Sequence, residues 1–461
     1  MNMFSADRRH VDMQRVLCIV EPNLLGEGGH HLAYNLLLAE MATSFDLVEI
    51  FADRKFRAEK YANVHATLNL LRLRYLKARL GSLFEKIRPV RPFQPVPLDF
   101  RFMKEDQWEP VKVPVFIVRH LRALDLSWSL YRLLSVRYSQ VKDVHILLQD
   151  VGMEELYCLE ILRGFLDAKA HTVTMHLVFR HVPERTCSRV AGMERFAEML
   201  QRQSALSYVR MYTDTEELSA SFKSIVHAPG QFQTLPVPSL IQKTPKPGKS
   251  NGTFRLGMLG DPRMEKGFGC LPTLLGALPV SVGGRHLELV TQTDAGVSAP
   301  ETRAVTAILE EHAKKAEDEP GALKLQLLSG PLDSEAYAAS FAGLDCALNL
   351  SFSPKYAASS SGIFVEALHL GIPSIVFTRT WMGKLVSQAA TEGLSIGLCV
   401  ETLSEVPVAV ERIAAEQDIF SNDIATYLER HARRFDPKLL TATMFGHPSG
   451  VSAGKSEGKA C

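Results

Sequence analysis

The sequence predicts an α/β protein of two Rossmann-like, doubly wound domains that face each other across a cleft. Three observations carry that expectation. Residues 15–21 (RVLCIVE) form a short, continuous apolar run, the pattern of a parallel strand buried on both faces. A glycine-bearing turn, a stretch of helical spacing and a second apolar run at 46–52 (DLVEIFA) follow, the opening unit of a doubly wound sheet. A second cycle begins at 254–260 (FRLGMLG), after a segment at 243–252 rich in Lys, Pro, Gly and Ser that reads as a linker.

Composition narrows the function classes. The chain has 461 residues, enough for two or three domains. Its 46% hydrophobic and 22% charged residues are those of an ordinary globular protein, and a net charge of +1 excludes the basic balance of a nucleic-acid binder. The seven cysteines include no C-x-x-C pair, which points to a reducing compartment rather than a disulfide framework or zinc knuckle. No apolar leader opens the sequence and no apolar run approaches eighteen residues, so a cytoplasmic location is expected.

Taken in order, the first domain is expected over 1–240. After the strand at 15–21, the turn at 22–29 contains Gly28 and Gly29, and 30–43 carries helical spacing through Leu32, Leu36 and Ala39. The turn is not G-x-G-x-x-G, so no dinucleotide site is expected, and the two glycines instead allow close approach to a ligand in a cleft. An insertion at about 54–91 breaks the rhythm. Within it Leu73, Leu76, Leu80, Leu83 and Ile87 recur at three and four among Arg72, Lys77, Arg79, Lys86 and Arg88. Such a basic amphipathic helix either lies on an anionic membrane through 72–88 or packs its apolar stripe on its own domain. Strands are expected at 113–118, 144–149 and 172–180, a helix at 154–166, and a capped helix after Thr213. The linker is placed at 241–253 and the second domain at 254–420, with strands near 287–291, 323–328 and 346–350 and helices near 302–315, 335–343 and 402–415. A C-terminal helix at 421–445 is expected to return to the first domain, and 446–461 has the composition of a disordered tail.

Two stretches of the second domain carry chemistry. Residues 257–267 (GMLGDPRMEKG) end a strand in a turn bearing Gly260, then place Arg263 and Lys266 three residues apart. A guanidinium fork and an ammonium together neutralise a diphosphate, and in a parallel sheet this loop lies at the carboxyl edge where ligands bind. Residues 359–373 (SSSGIFVEALHLGIP) place Ser360, Ser361 and Gly362 at the start of a helix and Glu366 one turn further in. The unpaired N–H groups of such a start attract phosphate or sugar oxygens, and the Glu can accept from two hydroxyls of one sugar ring.

Together these features resemble the GT-B fold glycosyltransferases, and are similar to glycosyltransferase family four (group 1). The shared marks are the Gly-Gly loop after the first strand, LPVP at 235–238, the Gly…Arg…Glu-Lys-Gly turn, and G-x-x-x-E-A-x-x-x-G-x-P at 362–373. The likeness spans most of the chain, with its sharp motifs in 254–376. It implies transfer of a sugar from a nucleotide diphosphate sugar to an acceptor such as a glycan or lipid-linked glycan. Arg263 and Lys266 would hold the donor diphosphate, Glu366 the ribose or another part of the donor, and Gly28 and Gly29 would approach from the opposite domain. In that family a His after a first-domain strand touches the donor sugar, and His176 is the matching candidate, with His181 and Arg180 as rivals. The chain departs from the pattern at Ala358, eight residues before Glu366, where the family carries an earlier Glu near the transferred sugar. No Asp-x-Asp triplet is present, so a metal-independent reaction is expected, with no cofactor beyond the sugar nucleotide. A non-catalytic GT-B relative that binds a sugar nucleotide or a protein partner, and a GT-B epimerase, are the alternatives.

Overall fold

The computed structural model describes residues 14–22, 24, 30–53, 64–68, 115–186, 192–226, 232–241, 252–293, 299–319, 321–330 and 332–446. Gly28, Gly29 and the basic stretch 72–88 lie outside them.

The first sheet has seven strands, β1 (Arg15–Glu21), β2 (Leu47–Asp53), β3 (Val64–Leu68), β4 (Asp143–Leu148), β5 (Val173–Phe179), β6 (Val209–Thr213) and β7 (Phe232–Thr234). They run in the order β3-β2-β1-β4-β5-β6-β7, and each pairs parallel with its neighbours. The helices α1 (His30–Met41), α2 (Val115–Arg132), α3 (Met153–Asp167), α4 (Gly192–Ser204) and α5 (Glu216–Ile225) connect them. Alternation along β1 divides two cores. Val16, Cys18 and Val20 join residues of α2, α3 and α4, whereas Leu17 and Ile19 join Leu32 and Leu38 of α1. Covering both faces is what makes the strand apolar from Val16 to Val20.

One expected element changes class. Residues 113 and 114 of the strand predicted at 113–118 lie outside the described residues, and 115–118 are the start of α2. Ala123, Leu126, Leu130 and Leu133 continue beyond it at spacings of three and four and are all buried. Packing of that stripe against α3 overrides the β preference of Val115 and Ile117. The edge strand β3 and the helix Trp381–Thr391 of the second unit have no counterpart in the sequence-based expectation.

The second sheet comprises β8 (Thr253–Met258), β9 (Ser281–Val282), β10 (Arg285–Thr293), β11 (Lys324–Ser329), β12 (Cys346–Asn349), β13 (Ser374–Phe377) and β14 (Gly397–Val400). Its order is β11-β10-β8-β12-β13-β14, all parallel, with the two-residue β9 antiparallel beside β10. Around it lie α6 (Leu271–Ala277), α7 (Pro300–Asp318), α8 (Ser334–Ala342), α9 (Gly362–His369), α10 (Trp381–Thr391) and α11 (Val406–Ala415).

The C-terminal segment is two helices rather than one. Helix α12 (Gln417–Arg430) stays on the second unit, burying Phe420, Ile424 and Tyr427 there. Asp436 then caps α13 (Pro437–Phe445), accepting from the Lys438 N–H at 2.8 Å. Helix α13 crosses back to the first sheet, where Leu440, Met444 and Phe445 complete the core of β1 and α1. Arg15 Nη2 donates to the Phe445 carbonyl at 3.0 Å and the Tyr212 hydroxyl to that of Met444 at 3.1 Å. Among the described residues no helix is long and apolar enough to cross a membrane.

Candidate active site

The strand order of each sheet reverses direction at its first strand, β1 in one and β8 in the other. Loops leaving adjacent strands at such a point diverge and open a crevice at the carboxyl edge. The two crevices face each other and enclose a cavity of about 300 Å³ lined by both units and by the linker residues Val237, Pro238 and Leu240.

The second unit supplies a cationic wall. After β8 the chain turns at Gly260, whose φ of +101° suits glycine and whose N–H donates to Gln292 Oε1 at 3.2 Å. A Cβ there would lie 2.6 Å from Ile363 Cδ1, so the turn sits directly on the first turn of α9. Arg263 and Lys266 bracket a single 3-10 turn that ends at Gly267, with φ +96°. A Cβ on Gly267 would meet the Leu350 carbonyl oxygen at 2.5 Å, so glycine lets the cationic turn close against the exit of β12. Arg263 and Lys266 both line the cavity. Arg263 Nε pairs with Asp261 at 2.9 Å, and Lys355 pairs with Glu265. Burial and then the neighbouring Arg263 push the half-buried Lys266 ammonium down to about 7.

Ser360, Ser361, Gly362 and Ile363 form the adjoining wall at the start of α9. The Ser361 hydroxyl caps the helix, accepting from the Phe364 N–H at 3.4 Å. Glu366 is only 1% exposed and is not a lining residue. Burial raises its carboxyl to about 7, against the opposing pull of the Tyr337 hydroxyl, which donates to it at 2.8 Å, and of the Lys266 charge. The structure therefore brings Arg263, Lys266, Gly260, Ser360, Ser361 and Gly362 to one cavity, with Glu366 one turn behind the wall and within electrostatic reach of Lys266.

His176 is not there, which corrects the expectation from the family pattern. It lies in the middle of β5, opposite Leu147 and Arg210, and is 1% exposed. Its ring bonds to His145 Nδ1 at 2.8 Å and to the Tyr212 hydroxyl at 3.0 Å, and packs edge-on to Phe445. In these parallel sheets the carboxyl edge is reached only from the last two residues of a strand onward, and His176 is three short of the end of β5. Its rivals Arg180 and His181, immediately beyond β5, both line the cavity.

The same rule identifies residues that sequence reasoning passed over: Glu21 closing β1, Gln149 and Asp150 after β4, and Asp214 after β6. Asp150 adopts φ +52° and faces His181 Nε2 at 3.4 Å. Arg180 stacks over the Tyr34 ring at 4.4 Å and donates to Gln149 Oε1 at 3.1 Å. Burial raises the Asp214 carboxyl, which accepts from the Ser360 hydroxyl. Two more bonds join the units at this loop. Ser359 Oγ donates to the Arg180 carbonyl at 3.1 Å, and Thr215 Oγ1 to the Ala358 carbonyl at 2.5 Å. Each of these polar residues directly follows an apolar strand, and that was the available signal.

No protein-family profile matches the sequence, and no curated protein does. Solved structures do match in fold. WaaG, a glycosyltransferase involved in lipopolysaccharide biosynthesis, superposes with a TM-score of 0.56 at 12% identity, over 94% of this chain and all (100%) of that one. HepE of Anabaena in complex with UDP-glucose gives 0.53 at 11% identity, over 94% and 98%. The α,α-trehalose 6-phosphate synthase of Burkholderia multivorans gives 0.56 at 12% identity, over 94% and 97%. The fold of this chain is that of the GT-B glycosyltransferases.

Proposed function

We propose that the protein is a glycosyltransferase that moves a sugar from a nucleoside diphosphate sugar to an acceptor seated against the first unit. Fold likeness alone does not assign an activity. The observation that carries the reading is the placement of Arg263, Lys266 and the start of α9 on one wall of a closed crevice, opposite Asp150, Arg180, His181 and Asp214 on the other.

In the transfer, the bond between the anomeric carbon and the phosphate oxygen breaks and its electron pair leaves with the nucleoside diphosphate. The acceptor oxygen bonds to that carbon, and its proton is lost to the leaving phosphate or to solvent. Negative charge grows on the diphosphate as the bond breaks. On this reading Arg263, Lys266 and the backbone N–H groups opening α9, which share one cavity wall, would stabilise that charge, each well-aimed donor in such a site being worth about 3 kcal/mol. Glu366, buried one turn behind that wall, would accept from the ribose hydroxyls or another part of the donor only by a side-chain shift toward the cavity. Closure of the two walls over the donor would exclude water that would otherwise hydrolyse it.

Replacing Arg263 or Lys266 with Ala removes charge-assisted bonds worth about 1.5–3 kcal/mol each, a loss of roughly ten- to a hundredfold in nucleoside diphosphate affinity by calorimetry. Unchanged affinity in both variants removes the assignment. Release of nucleoside diphosphate from a panel of sugar nucleotides tests the chemistry. Binding without any release favours a sugar-nucleotide-binding relative, the reading that Ala358 in place of the family's earlier Glu supports.

A further inference from the structure

We propose that the first-unit side of this cavity receives an uncharged, hydroxyl-bearing sugar, and that it turns away acceptors carrying a phosphate or carboxylate at that end. The inference rests on the glycosyl-transfer reading and adds the class of acceptor to it.

The two walls differ in sign. Among the described lining residues, the second unit contributes Arg263, Lys266 and Lys355 against the single carboxylate of Asp261. The first unit reverses this, with Glu21, Asp150 and Asp214 against the guanidinium of Arg180. His181, proton or no proton, does not outweigh the carboxylates. Arg180 is also engaged already. It lies over Tyr34, donates to Gln149, and sits in the field of all three carboxylates. An arriving anion would have to compete with these partners for the guanidinium.

Hydrogen-bond polarity gives the same answer without reference to net charge. Carboxylate oxygens need donors, which sugar hydroxyls provide and a phosphate dianion does not. The buried Oδ1 of Asp214 has no hydrogen-bond donor among the described residues, while Oδ2 takes the Ser360 hydroxyl across the cleft. Oδ1 has no accessible surface, so a ligand hydroxyl meets Asp214 at Oδ2, where the Ser360 hydroxyl already donates. A phosphate oxygen would place two acceptors and two like charges together in a confined crevice, where they repel. The cationic wall is thus left for the donor's diphosphate and the acidic wall for the acceptor's hydroxyls.

The test measures binding to the intact protein, with and without saturating nucleoside diphosphate. The probes are methyl glucoside, mannose and galactose, each set against a charged counterpart: glucose 6-phosphate, mannose 6-phosphate and galacturonate. At least one neutral sugar is expected to bind about a hundredfold more tightly than its charged counterpart. Asp214→Asn, or Asp150→Asn where the first fails to fold, is expected to narrow that gap. Equal or tighter binding of the charged sugars overturns the proposal, as does the absence of binding by any neutral sugar at millimolar concentration. Nucleoside diphosphate affinity, recorded in the same titrations, reports separately on the donor reading.

Discussion

Lys266 and Glu366 reach neutrality from opposite directions. Burial pushes the ammonium of Lys266 down to about 7 and the carboxyl of Glu366 up to about 7. On the proposed function, Glu366 takes a proton below pH 7 and could then no longer accept from ribose hydroxyls. Above pH 7 Lys266 loses the charge proposed to hold the diphosphate. Nucleoside diphosphate affinity is therefore expected to peak near pH 7 and to fall on either side by up to about tenfold per pH unit. Glu366→Gln should flatten the acid limb and leave the alkaline limb in place. Tyr337→Phe removes the hydroxyl bond that favours the ionised carboxylate, so the acid limb should move to higher pH. A flat profile for the unaltered protein between pH 6 and 8 would count against both assignments.

At the scale of elements, the cationic turn is shaped by what glycine permits. Gly267 combines φ +96° with a carbonyl oxygen 2.5 Å from where a Cβ would stand, and backbone cannot swing aside as a side-chain tip can. Gly267→Ala is expected to cost about 1–3 kcal/mol of stability and to displace Lys266, lowering nucleotide affinity together with the melting temperature. An unshifted melting curve would mean that the turn is not held as described. The turn was legible in the sequence because strand, glycine and paired cations are local signals. Helix α2 was not, because Val115 and Ile117 favour strand locally and only the stripe from Ala123 to Leu133, packed on α3, makes the run helical.

Across the whole molecule, α13 fastens the end of the chain to its beginning, and a buried histidine pair lies beneath it. Burial holds His145 down at about 4 and His176 well below its ordinary value, so the folded protein keeps both neutral where the unfolded chain would charge them. The unfolded state thus binds more protons below about pH 6.5, and stability is lost as pH falls from there toward 4. The loss amounts to up to about 1.4 kcal/mol per pH unit for each histidine. The urea midpoint should accordingly drop between pH 7 and pH 5, and an unchanged midpoint would contradict this account.

The sequence by itself determined the two doubly wound sheets and the turn that carries Arg263 and Lys266, because apolar runs, helical spacing and glycine positions act over a few residues. Tertiary structure alone decided that His181 rather than His176 faces the cavity, since only strand register tells which side chain passes the sheet edge. It alone tied Ala358–Ser360 to Thr215, Arg180 and Asp214, contacts between residues more than 140 positions apart that no local pattern encodes.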